Sequence, residues 1–90
     1  MKKAVITVTG KDTVGIIAEV ATVCAKYNVN ILDVTQSIIQ DYFAMIMLAD
    51  IDKLSVAFAE FSDLLHAIGE EKHLDIHTMH EDIFNTMHHI

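Results

Sequence analysis

The chain contains no arginine. Its six basic residues are all lysines, namely Lys2, Lys3, Lys11, Lys26, Lys53 and Lys72. They are scattered among thirteen acidic residues, and the formal net charge is −7. Nucleic-acid binding needs a basic stripe that neutralises phosphates, so it is not expected here. Proline is absent and glycine occurs three times, while 52% of the residues are hydrophobic. A disordered chain has too little apolar surface to fold, and this composition is the opposite. Cys24 is the single cysteine, which excludes an intrachain disulfide. Its place among apolar residues at helical spacing predicts a buried structural thiol. No long apolar run exists either, because Thr7, Thr9, Lys11 and Asp12 interrupt the stretch after Met1-Lys2-Lys3. Neither a signal peptide nor a membrane span is expected, and the cytoplasm is the expected compartment.

Ninety residues support one domain with one modest core. So large an apolar share in so small a chain predicts that some surface is buried against a partner, and a homo-oligomer is expected. The first strand is predicted over about 3–9, in Ala4-Val5-Ile6-Thr7-Val8-Thr9. A helix follows, starting near Asp12 or Thr13, either of which can cap it. Its apolar positions Ile17, Val20, Ala21 and Cys24 repeat at three and four, widened by Ile16, Val23 and Tyr27. Asn28 is the predicted left-handed stop.

A second strand is predicted over 31–39, a turn at Gln40-Asp41, and a third strand over 42–49. Both alternating sets of the third strand are apolar, Phe43, Met45, Met47 and Ala44, Ile46, Leu48, so both sheet faces are expected to be covered there. Asp50-Ile51-Asp52 ends it and offers caps for a second helix. Leu54, Phe58, Phe61, Leu64, Leu65 and Ile68 form that helix's apolar stripe. Gly69 is its expected stop and Glu70-Glu71-Lys72 a charged loop. A fourth strand is predicted over 74–79. The order β-α-β-β-α-β is the ferredoxin-like arrangement of the α+β class, a four-stranded antiparallel sheet with two helices on one face.

The expected domain occupies 1–80 and leaves a tail over 81–90. Ile83, Phe84, Met87 and Ile90 share one helical face of that tail. Ten residues seldom hold a helix alone in water, so the tail must dock on the sheet or on another subunit. The outer face of strand three is its expected place. Glu81 and Asp82 at its start and His88 and His89 at its end match the helix dipole.

The most informative stretch is Gly10-Lys11-Asp12-Thr13-Val14-Gly15-Ile16-Ile17-Ala18. A glycine-bearing turn from strand to helix exposes helix-start N–H groups to a small anionic group. The pattern Asp12-x-x-Gly15-Ile16-x-Ala18, followed one helix later by Asn30-Ile31, resembles the ACT domain, a ferredoxin-like regulatory module for amino acids and related small molecules. The resemblance runs from Ala4 to about Met79. It is closest to small stand-alone ACT proteins of bacteria and archaea. It extends to the N-terminal ACT module of formyltetrahydrofolate deformylase and to the glycine-cleavage repressor, and nothing is expected to be fused to this domain.

The resemblance implies a homodimer joined side by side through sheet edges, with an effector at the subunit interface. It places ligand contacts at Asp12, Thr13, Val14, Gly15, Ile16, Asn30 and Ile31. Asp12 is suited to an ammonium group and Asn30, from a partner's strand two, to one donated and one accepted hydrogen bond. Serine-binding members carry Asn where Asp12 stands, so serine is not singled out. Each residue has a purely structural alternative: Asp12 as a helix cap, Gly15 for close helix-strand packing, Asn30 bonded within its own turn. A ligand-free interaction module, using the sheet and tail against another protein, is the alternative function.

No catalytic residue, cofactor or metal is expected. Acylphosphatases of this topology need an arginine for the phosphate oxygens. Metallochaperones need Cys-x-x-Cys in the first loop, and RNA-recognition modules need basic, aromatic strands. The six histidines do not fall at metal-ligand spacing, since His77 and His80 diverge on a strand and His88 and His89 on a helix.

Overall fold

Alternate residues of the first segment turn inward. Ala4, Ile6 and Val8 are wholly buried, while Lys3 and Thr7 are half-buried and Thr9 is exposed. That period of two makes a strand with a core on one side. The computed structural model describes residues 1–11 and 15–87. The elements are β1 (Lys3–Gly10), α1 (Ile16–Lys26), β2 (Asn30–Ile39), β3 (Tyr42–Asp50), α2 (Phe58–Lys72), β4 (Asp75–His80) and α3 (Glu81–Met87). The strands form one antiparallel sheet in the order β2-β3-β1-β4. This is the ferredoxin-like βαββαβ fold expected from the sequence, with a third helix appended.

The core lies between the sheet and the two long helices. α1 contributes Ile16, Val20 and Cys24, and α2 contributes Phe61, Leu65 and Gly69, each set spaced by four. They meet Ala4, Ile6, Val8, Met45, Met47, Ala49 and Ile76 from the sheet. A wholly buried Phe61 or Leu65 stabilises the fold by about 1.5–3 kcal/mol. Ile17 was expected in the α1 stripe, yet it is 40% exposed. The helix begins at Ile16 rather than near Asp12 or Thr13, and Ile16 takes the inward position.

Both long helices stop by the same device. At the end of α1 the Asn28 N–H donates to Ala25 O and the Val29 N–H to Cys24 O, around a left-handed Asn28 with φ 62°. At the end of α2 the His73 N–H donates to Glu70 O and the Leu74 N–H to Gly69 O, around a left-handed His73 with φ 61°. These paired bonds satisfy carbonyls that a helix end would orphan. Asn28 was predicted and His73 was not.

Gly69 is not a stop but a buried residue inside α2, and Glu70-Glu71-Lys72 is helix, not loop. A Cβ on Gly69 would lie 2.7 Å from Leu74 O and 2.9 Å from Ile76 Cγ1. Glycine is there because α2 approaches β4 that closely. Leu54 precedes α2, in a turn where the Leu54 N–H donates to Ile51 O.

The opposite face of the sheet is partly covered. α3 lies against β1 and β4. Val5, on that face opposite Leu48 and Met79, is 3% exposed. Ile46 on β3 remains 43% exposed, so α3 does not close over strand three as expected.

Candidate functional site

β1 ends at Gly10 and α1 is preceded by Gly15, whose φ of 78° is left-handed. Among the described residues a Cβ there would meet nothing within 4 Å. Gly15 therefore serves backbone conformation and not close helix-strand packing. The first helical bond runs from the Glu19 N–H to Gly15 O at 3.0 Å, and among the described residues no side chain caps α1. Ile16 is wholly buried, so its side chain belongs to the core. Beside the loop the Lys11 ammonium lies 5.3 Å from the centre of the Tyr42 ring, within cation–π range. Asp12, Thr13 and Val14 lie outside the described residues, as do His88, His89 and Ile90.

Asn30 opens β2 as an exposed residue opposite Asp50, and Ile31 is half-buried against the core. Within one chain the two predicted halves of the site do not meet. β1 starts at Lys3 opposite Asp50, beside Asn30, and ends at Gly10 opposite Phe43. Seven residue steps of about 3.3 Å put these ends roughly 23 Å apart.

At the Asn30 end the structure has a hollow of about 320 Å³, lined by Asn28, Asn30, Asp50, Asp52 and Lys53. Three ties build its walls. The Ser55 N–H donates to Tyr27 O at 3.0 Å and the Ile51 N–H to Lys2 O at 3.0 Å. The Lys2 N–H donates to Asp52 Oδ1 at 2.7 Å. Within the turn the Asp52 N–H donates to Asp50 Oδ1 at 2.9 Å. The hollow thus joins the left-handed end of α1, the start of β2 and the end of β3. Of its five residues, sequence reasoning placed only Asn30 in a site. Asp50 and Asp52 were read as helix caps, and nothing local pairs Asn30 with Asp50.

Cys24 is almost wholly buried, and burial pushes its thiol up to about 11. It stays protonated at neutral pH and is no nucleophile. His66 pairs with Glu70 at 3.0 Å, and its ring centre lies 6.3 Å from that of His77. His80 stacks on Phe58 with ring centres 4.0 Å apart. Among the described residues no three His, Cys, Asp or Glu side chains converge as a metal-binding group. Nor is any described helix long and apolar enough to cross a membrane.

The family model of the ACT domain matches residues 2–79. A UPF0237 protein of Methanococcus maripaludis is 47% identical over 90 residues, covering the whole of both chains. An ACT domain protein from Streptococcus pneumoniae superposes with a TM-score of 0.79 at 32% identity, over 92% of this chain and 93% of that one. A formyltetrahydrofolate deformylase from Pseudomonas syringae shares the fold alone, at 23% identity and a TM-score of 0.78. That likeness covers 89% of this chain and 28% of the deformylase.

Proposed function

Since the chain belongs to the ACT-domain family, whose members are small-ligand-binding regulatory modules, we propose that it is a cytoplasmic sensor that binds an amino acid or related metabolite between the subunits of a homodimer. The observation that carries this reading is the separation of the two half-sites combined with the place of β2. β2 is an edge of the sheet. Antiparallel pairing of two β2 strands about a two-fold axis sets the start of one beside the end of the other. Asn30 of one subunit then approaches the Gly10 end of its partner, where Gly15 and the start of α1 lie. The partner's α1 N–H groups suit an acceptor on the ligand, Asp12 suits a donor, and Asn30 supplies one of each. No step of catalysis is assigned to any residue.

A thermal-shift screen of the common amino acids at millimolar concentration tests this. A ligand at ten times its Kd adds about 1.4 kcal/mol, which is roughly 5–10 °C in Tm for a domain of this size. Asn30→Ala should abolish the shift without lowering the unliganded Tm by more than a degree or two. Flat curves for all twenty amino acids would remove the reading.

The alternative is a ligand-free interaction module, favoured by the exposed apolar side chains of Ile46, Ile83 and Met87. It expects a protein partner that is lost when residues 83–90 are deleted. Under the sensing reading that deletion leaves ligand binding intact.

A further inference from the structure

The hollow beside Asn30 has a mixed charge pattern, and neither the family motif nor the fold assigns a role to most of its lining. Asp50 and Asp52 bring two carboxylates, Lys53 one ammonium, and Asn28 and Asn30 two carboxamides. Each carboxylate commits one oxygen to a backbone N–H, Asp50 Oδ1 to that of Asp52 and Asp52 Oδ1 to that of Lys2. Among the described residues the second oxygen of each has no hydrogen-bond partner and can accept from a ligand ammonium. Both charges are held in place by those bonds, which removes part of the ordering cost of binding.

Resting on the sensing reading above, we propose that Asp50, Asp52 and Lys53 form a charge-selecting wall that admits polar neutral or basic α-amino acids and rejects acidic ones. The ligand ammonium goes to the two aspartates and its carboxylate to Lys53, while Asn28 and Asn30 each offer one donor and one acceptor to the remaining polar groups. A third charge on the ligand decides the outcome. A second ligand carboxylate would meet two like charges and one ammonium already engaged, and like charges within a few ångströms repel. Size and lining narrow the class further. About 320 Å³ is at the small end of ligand sites, which span about 300–1,000 Å³. The lining has no apolar side chain, so a large apolar amino acid gains little burial there.

Paired ligands that differ by one charge at nearly constant shape test the wall. Calorimetric affinities of the full chain are compared for L-asparagine against L-aspartate and for L-glutamine against L-glutamate, with L-lysine as the basic ligand. The amide or basic member of each comparison should bind at least tenfold more tightly than the acid. The double substitution Asp50→Asn and Asp52→Asn keeps both acceptor oxygens for the backbone N–H groups and removes both charges. It should bring each acid to within about threefold of its amide. Lys53→Glu, on an exposed turn, keeps the test alive should the double variant not fold, and it should weaken every ligand at least tenfold.

Equal affinity for acid and amide, or an unchanged preference in the double variant, or full affinity in Lys53→Glu, would overturn the wall while leaving amino-acid sensing in place. No binding by any amino acid removes both readings together.

Discussion

Cys24 shows how far a single residue can be read before its surroundings are known. Its helical spacing already predicts burial, but only the packed core sets the consequence, a thiol raised from its ordinary 9.0 to about 11. The sign of the pH effect follows. The unfolded chain loses this proton above about pH 9 and the folded chain keeps it until about pH 11, so ionisation favours unfolding in that window. Stability attached to Cys24 is full below pH 9 and should fall by about 2–3 kcal/mol as pH rises to 11. Urea midpoints of the wild type and Cys24→Ala, measured from pH 8 to 11, check it, because the variant removes this titration and leaves the lysines and tyrosines in common. Parallel pH profiles would refute it. Glycines are harder to read. Gly69 looks like a helix stop in sequence because glycine often is one. It is instead a place where α2 nearly touches the β4 chain, and no local pattern distinguishes the two.

At the scale of elements, periodicity carries most of the information. The alternation of β1 and β3, the four-residue spacing in α1 and the two-residue loop at Gln40-Asp41 were all legible. Boundaries were less so. α1 begins three or four residues late because Gly15 takes a left-handed turn, and α2 runs four residues long because His73 does. α3 is the element whose stability depends most on what it touches. At seven residues it is too short to persist alone, and it sits over β1 and β4 where Val5 is shielded. Truncation after His80 should therefore lower stability by about 1–2 kcal/mol, the worth of re-exposing a valine-sized side chain. Chemical denaturation of the truncated and full chains measures it, and identical midpoints would show that α3 does not shield the sheet.

At the scale of the whole molecule the β2 edge of the sheet needs a cover. Natural sheets guard their edges with lysine, proline or inward charge, but the stretch Thr35-Gln36-Ser37-Ile38 carries none of these, and Ile38 is 74% exposed. A second copy is the expected cover. Sedimentation at tens of micromolar should find a dimer for the wild type and a monomer for Ile38→Lys, with helical and strand content by circular dichroism unchanged. A monomeric wild type would contradict the dimer and, with it, a site shared between subunits.

By itself the sequence determined the order of the elements, which face of each is apolar, and the Gly15 and Asn30 positions that mark the family. Those properties are local or periodic, set by side-chain spacing and by which residues tolerate a left-handed backbone. The tertiary structure alone decided that Asn30 lies across from Asp50 and that Gly15 lies at the far end of the sheet. It also decided that Asp52 and Lys53 line a hollow with Asn28. Strand register joins residues twenty positions apart through long-range pairing, and no propensity along the chain encodes which residue will stand opposite which.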